Sequence, residues 1–130
     1  MSKIDQVWFT SSFFRVEPGE DDEVNPGKYG KALAEWVADQ LRKRGVAVGE
    51  VFPEDWGWCV MVSGQSFSLW VGCGNEDGSK TRWLLFPAAE RGISQRLFKT
   101  VDTAPALSEL KNHIAEIVRT IPDVRDVEWE

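Results

Sequence analysis

Between residues 46 and 87, short runs of apolar and β-branched residues alternate with clusters of turn-forming residues. Such a pattern predicts strands joined by tight turns, which is an antiparallel meander. Pro87 is expected to end the last strand, because proline cannot donate to a sheet. The predicted strands are Val46–Phe52, Trp58–Val62, Ser66–Val71 and Thr81–Phe86.

A helix is predicted before the meander, from Pro26 to Arg44. Asn25 is a favourable N-cap, and Pro26 suits the first helical position because its missing N–H would have no partner there. The acidic residues upstream would face the positive end of the helix dipole. Gly45 is expected just beyond the end, where a left-handed residue often closes a helix. The apolar face follows the 3.6-residue period: Tyr29, Leu33, Trp36, Val37 and Leu41.

A second helix is predicted after residue 103, with Asp102 or Thr103 as the cap and Pro105 in the first turn. Pro122 is expected to stop it. Its apolar residues form one narrow stripe that would pack on a sheet. The stripe contains Leu107, Leu110, Ile114, Ile117, Val118 and Ile121.

Three further segments have a strand pattern. They are Val7–Val16, which is expected to bulge near Ser11-Ser12, then Arg96–Val101, and Val124–Trp129 at the end. Helices that flank a run of hairpin-connected strands indicate an α+β fold. We therefore predict a single domain over residues 1–130, with one antiparallel sheet and two helices packed on one of its faces.

The chain contains seven tryptophans and only one tyrosine. Most of the indoles lie among apolar neighbours, which favours a place in the core. Two of the tryptophans, however, occupy positions that favour exposure to solvent. In the strand Ser66–Val71, Trp70 shares its face with Ser66 and Ser68, whereas Leu69 and Val71 point the other way. Trp56 lies in a turn. We predict that these two tryptophans are binding anchors.

The sequence offers little for catalysis. His113 is the only histidine, on the margin of the second helix, and no nucleophile with a positioned base is apparent near it. Cys59 and Cys73 are predicted to be free thiols, with a disulfide as the alternative. No spacing suits a metal, and we expect no cofactor. Glu54 and Asp55 are adjacent, so in an extended chain they point to opposite sides.

The formal net charge is −6. An acidic surface disfavours nucleic acid and attracts basic proteins. We therefore predict a basic protein partner, bound by an acidic loop and by the turn that contains Trp56. The absence of an apolar leader or a membrane-length apolar stretch predicts a cytoplasmic protein with no membrane contact. The predicted contact residues are Glu20, Asp21, Asp22, Glu23, Glu54, Asp55, Trp56 and Trp70.

The segment Pro53-Glu54-Asp55-Trp56-Gly57-Trp58, with Asn25-Pro26-Gly27-Lys28 upstream, resembles small bacterial proteins that carry the same six residues between a helix and a meander. That resemblance implies no activity. In size, acidity and α+β composition the chain also resembles immunity proteins, which neutralise bacterial toxins. This second resemblance implies a non-enzymatic inhibitor and transfers no functional residue.

Two alternatives remain at the level of sequence. One is a small-molecule-binding or enzymatic domain with a pocket between sheet and helices, for which Glu54, Asp55, Arg82 and His113 supply the polar groups. The other is a nucleic-acid mimic that presents carboxylates to a DNA-binding protein, mainly from residues 17–23.

Overall fold

A computed structural model describes residues 5–90 and 102–130 of the chain. Its strands form one six-stranded antiparallel sheet with the order β2-β3-β4-β5-β1-β6. The predicted α+β fold is confirmed, because two α-helices accompany this sheet. The strands are β1 (Val7–Thr10), β2 (Val48–Glu54), β3 (Gly57–Val62), β4 (Ser68–Asn75), β5 (Arg82–Glu90) and β6 (Arg125–Trp129), and the helices are α1 (Lys31–Lys43) and α2 (Ala104–Arg119).

Alternation along the strands divides the sheet into two faces. The inner face packs against both helices: α1 lies over β2, β3 and β4, and α2 lies over β5. Successive residues of a strand point to opposite faces. The cross-strand pairs therefore show on which face of the sheet each side chain lies. Val60 pairs with Val71, and Cys73 pairs with Leu85; all four are buried in the core. We call the opposite side of the sheet the outer face.

The second helix follows its prediction closely. Thr103 is the N-cap residue and Pro105 lies in the first turn, and the Asp102 carboxylate accepts a hydrogen bond from the Ala104 N–H at 3.0 Å. The predicted apolar stripe contributes Leu110, Ile114, Ile117, Val118 and Ile121 to the buried core.

The first helix starts five residues later than predicted, so Asn25 is not its N-cap. The chain from Gly27 to Gly30 is not helical, and these two glycines have φ values of 81° and 145°. Asn75 holds this segment instead, because its side chain accepts from the Tyr29 N–H and donates to the Gly27 carbonyl. The predicted end is confirmed by the glycine closure at Gly45, whose φ is 84°.

Three strand ends differ from their predictions by four residues or more. One is the end of β4, which continues past Val71 to Asn75. β1 ends at Thr10 instead of Val16, because the chain turns so that the Ser11 hydroxyl can donate to the Pro122 carbonyl. β5 continues past Pro87 to Glu90. Proline is tolerated there because β1 begins opposite Leu85 and does not pair with the later part of β5. The predicted strand Arg96–Val101 lies outside the described residues.

Asp123 joins the end of β1 to the connection between α2 and β6. Its carboxylate accepts from the Ser12 hydroxyl at 2.5 Å and the Ser12 N–H at 3.2 Å. An ion pair with Arg125 adds to these bonds. Hydrogen bonding from the Ser12 hydroxyl, followed by Arg125 and the Ser12 amide, lowers the pKa of Asp123 from 3.8 to about 2.

This lowered pKa predicts a pH-dependent effect of Asp123→Asn. A carboxyl with a lower pKa in the folded state stabilises the fold above its unfolded pKa, and this contribution is lost as the pH falls toward the folded pKa. The variant should therefore be less stable than the wild type at pH 6, and the difference should narrow between about pH 4 and pH 2. Urea unfolding midpoints across this range measure the difference. An equal difference in stability between the two proteins at pH 6 and at pH 2 would contradict the lowered pKa of Asp123.

Candidate functional site

The outer face of the sheet carries large apolar side chains that no helix covers in the described part of the chain. A solvated face of an antiparallel sheet normally carries polar residues. Here six of the outer-face positions are large aromatic or aliphatic residues, and these side chains are partly exposed. Large apolar patches on a protein surface are typical of interaction sites. Its large members are Trp8, Phe52, Met61, Trp70, Leu84 and Phe86.

A cleft of about 360 Å³ opens on this face. Its walls are aromatic, and they come from β2, from the turn between β2 and β3, and from β4. Cys59 and Met61 of β3 lie between these walls, and each pairs with a residue of a neighbouring strand. The complete lining is Phe52, Glu54, Trp56, Cys59, Met61, Ser68, Trp70 and Glu90.

Trp56 stands at the mouth of the cleft. It occupies the two-residue turn after Glu54, where the cross-strand pair Glu54–Gly57 closes the hairpin. Its side chain is 37% exposed. The ring packs at 5.4 Å, centroid to centroid, against Phe86, and the Phe86 ring in turn covers Gly72, where a Cβ atom would lie 2.2 Å from the ring. The indole is therefore held by the sheet while part of it faces solvent.

Trp70 is less exposed than its serine-rich strand face suggested. It is half-buried between Met61 of β3 and Ala88 of β5. Its indole N–H is buried and has no hydrogen-bond partner within residues 5–90 and 102–130. Trp70 thus forms a wall of the cleft and does not project from the surface.

Two glutamates lie at the cleft. Glu54 ends β2 and Glu90 ends β5, and the cross-strand pairs place both on the outer face. Neither forms an ion pair with a described residue. The part of the chain that the structure describes contributes no Lys or Arg to the lining. The described residues therefore make the cleft apolar in its centre and anionic at its margins.

The cleft thiol is a weak nucleophile at neutral pH, because its pKa is raised. Burial, and secondarily the Glu54 carboxylate, raise the pKa of Cys59 to about 11, so the thiol stays protonated. Cys59 lies on the outer face and Cys73 on the inner face, because they pair with Gly72 and Trp58 respectively. Side chains on opposite faces cannot reach one another for a disulfide, and both cysteines are free.

The predicted acidic loop divides into buried and exposed residues. Glu20 is 8% exposed, and its carboxylate accepts from the N–H groups of Gly30 and Lys31 at the start of α1, at 3.0 and 3.2 Å. Its prediction as a contact residue is corrected, because this side chain points inward to cap a helix. Asp21 accepts from the Gly27 N–H at 2.9 Å. Asp22 and Glu23 are exposed.

The acidic loop and the turn of the cleft meet in the structure. The Asn25 side-chain amide donates to the Asp55 carbonyl at 2.7 Å. This contact places the loop beside Glu54, Asp55 and Trp56, although the two segments are thirty residues apart in sequence. The structure therefore brings most of the predicted contact residues to one end of the sheet.

The polar groups of the alternative pocket do not converge. Arg82 lies on the outer face, where it donates to the Thr10 hydroxyl and pairs with Glu128 of β6 at 2.6 Å. His113 lies on α2, in a separate cavity of about 290 Å³. Its Nδ1 accepts from Arg44 Nε at 2.9 Å, and Arg44 also pairs with Glu116. Glu54 lines the cleft on the other side of the sheet.

Sequence reasoning missed several cleft residues, namely Phe52, Cys59, Met61 and Glu90. One signal was present for β3, where Cys59 and Met61 alternate with Trp58, Val60 and Val62. A strand with no polar face is covered or contacted on both sides, so the outer positions of β3 were detectable. Glu90 could not be found because β5 was predicted to end at Pro87.

Together, the fold and the site define an α+β protein with a helix-covered inner face and an acid-rimmed aromatic outer face that no described helix covers. Comparisons with protein-family models, curated proteins and solved structures gave no match. No described helix combines the length and apolar character required for a membrane span. Within residues 5–90 and 102–130, no cluster of His, Cys, Asp and Glu could hold a metal ion.

Proposed function

We propose that this protein is a non-enzymatic protein-binding module that captures a basic partner on its outer face. The aromatic outer face, which no described helix covers, carries the proposal, because burying such a face is the main source of favourable free energy in association. Trp56 is the anchor, since a partly exposed tryptophan held in place by its neighbours is typical of an energetic centre.

The charges beside this face support a basic partner. Asp22, Glu23, Glu54 and Asp55 belong to two segments that meet at Asn25. Acidic groups around an apolar centre speed the capture of a cationic surface and select against acidic competitors. The most concrete form of the proposal is a cytoplasmic immunity-type inhibitor of a bacterial toxin, which acts by covering the toxin's functional surface.

The chemistry of the cleft supports a non-enzymatic role. A cysteine with a raised pKa is a poor nucleophile, and the described residues place no histidine beside it. The alternative of a nucleic-acid mimic has less support, because Glu20 is buried as a helix cap and only part of the acidic loop faces solvent.

One observation favours a second candidate function, the binding of a small ligand between sheet and helices. The cavity that contains His113 lies between the end of α1, the turn after β3 and the start of α2. However, the side chains of His113 and Arg44 are already hydrogen-bonded to one another there. A thermal-shift screen of small anions and metabolites, with Ser63→Ala as a control in the lining, would identify such a ligand.

A comparative capture experiment tests the proposed function. Three immobilised baits are exposed to lysate of the native host: the wild type, the double variant Phe52→Thr/Trp56→Ser, and Val127→Thr. Val127 is 44% exposed on the edge strand β6, so its variant removes exposed apolar surface away from the cleft. We expect a basic protein that is retained by the wild type and by Val127→Thr and is lost from the double variant.

The same baits distinguish a toxin from other partners. If the captured protein arrests growth when it is expressed alone, co-expression of the wild type should restore growth and the double variant should not. Equal capture of the same proteins by all three baits would refute the proposed binding face.

A further inference from the structure

Two tryptophans outside the cleft have a lysine ammonium group close to the ring. The Lys31 ammonium group lies 5.5 Å from the centre of the Trp58 ring, and the Lys111 ammonium group lies 5.6 Å from that of Trp129. A cation above an indole is attracted by the negative face of the ring. The aromatic rings of the cleft have no such cation among the described residues, although carboxylates flank them.

The cleft provides both features that recognise an organic cation. Phe52, Trp56 and Trp70 offer aromatic surface, and Glu54 and Glu90 offer negative charge without an ion-pair partner in the described residues. A volume of about 360 Å³ falls in the range of sites that enclose a small ligand or a side chain. An aromatic site beside carboxylates that form no ion pair with a described residue is complementary to a positively charged, flat group.

We propose that the cleft is a socket for an arginine side chain of the protein partner. This inference rests on the proposed function and specifies the chemistry of its central contact. Arginine fits better than lysine, because its planar guanidinium group stacks on aromatic rings and can pair with a carboxylate at the same time. The stem of the side chain would cover Met61 and Cys59, and its charged end would lie beside Trp56 and Glu54. Glu90 would lie at the opposite margin of the cleft, where the side chain enters.

Short peptides test this socket without knowledge of the partner. The probe is acetyl-Gly-Arg-Gly-amide, titrated into ¹⁵N-labelled full-length protein while the indole N–H resonances are recorded. The Trp56→Phe and Trp70→Phe variants assign the two cleft resonances. The matched control replaces arginine with citrulline, which has nearly the same shape and no charge. We expect saturable shifts of the Trp56 and Trp70 resonances with the arginine peptide, and affinity at least tenfold lower for citrulline.

Two pairs of variants separate the socket from general attraction to an acidic protein. Trp56→Leu keeps an apolar side chain but removes the aromatic face, so affinity for the arginine peptide should fall about fivefold, whereas Trp56→Phe should retain most of it. Glu54→Gln/Glu90→Gln should also weaken binding about fivefold or more. Glu35→Gln/Asp39→Asn removes the same net charge from exposed positions of α1 and should change affinity less than twofold.

Several outcomes would overturn the inference. Equal binding of the arginine and citrulline peptides would do so, as would equal effects of the cleft and helix charge pairs, or shifts confined to other tryptophans. A lysine peptide that binds more tightly would exclude arginine as the preferred group. Tighter binding of tetramethylammonium at the same resonances would assign the cleft to free small cations.

The experiment also separates this inference from the proposed function. If the peptides do not bind but the basic partner is still captured through the outer face, only the arginine socket is wrong. If the arginine peptide binds as expected but no protein is lost from the Phe52→Thr/Trp56→Ser bait, the proposed protein-binding function fails while the cation site remains.

Discussion

Gly57→Ala is expected to destabilise the protein by about 2–4 kcal/mol, because the substitution combines an unfavourable backbone conformation with a clash against main chain. Gly57 has a φ of 157°, and a Cβ atom built on it would lie 2.5 Å from the Cys73 carbonyl oxygen. A side chain can rotate away from such a contact, but a carbonyl within β4 cannot move without disturbing the sheet.

The position of Gly57 connects this stability effect with the binding face. Gly57 begins β3 immediately after Trp56, so the close approach to β4 sets the path of the turn that holds the anchor. The Cys73 carbonyl is also approached by Gly30, at 2.9 Å from a Cβ atom built there. Two glycines therefore allow the turn and the start of α1 to pack on the same peptide group.

Urea unfolding followed by far-ultraviolet circular dichroism measures this effect, with Gly64→Ala as the matched control. Gly64 also has a positive φ, of 95°, but no atom lies within 4 Å of a Cβ atom at that position. Its substitution should cost only about 1 kcal/mol, from the backbone conformation alone. Equal losses for the two variants would show that the contact with Cys73 is unimportant.

Glu20→Ala is expected to lower the free energy of unfolding by about 3 kcal/mol, because one buried and two part-buried N–H groups lose their acceptor. The carboxylate accepts from Gly30 and Lys31 at the start of α1 and from the Glu17 N–H. It also places a negative charge at the positive end of the helix dipole. The loss should appear as a lower urea midpoint with an unchanged slope.

Two further variants refine this test. Glu20→Gln retains one acceptor oxygen and should lose roughly half as much stability. Glu23→Ala removes an exposed acid from the same turn and should change stability by no more than about 0.5 kcal/mol. If Glu20→Ala and Glu23→Ala behave alike, Glu20 does not cap α1 and returns to the set of surface contact residues.

The parts of the fold that were predictable from sequence depend on local pattern. The stripe of α2 is continuous, and its cap and proline lie beside it, so Leu110 and Ile114 were placed correctly in the core. The strands of the meander were recognisable from their composition and turns. The end of α1 was also predictable from nearby residues, because Gly45 directly follows the helix.

The errors arose where distant groups decide the outcome. The start of α1 is set by Glu20, which is ten residues before Gly30, and by Asn75 from β4. A favourable local cap at Asn25 could not reveal this competition. The cleft was missed for the same reason: Phe52, Met61 and Trp70 become neighbours only through the register of three strands.

Hydrogen–deuterium exchange of the protein with and without its purified basic partner tests the central claim most directly. Binding on the outer face should slow exchange in the turn from Glu54 to Gly57 and in the first residues of β4, and should leave the exposed side of α1 unchanged. Slower exchange confined to α1 and α2, with the turn unaffected, would contradict the assignment of the outer face as the binding surface.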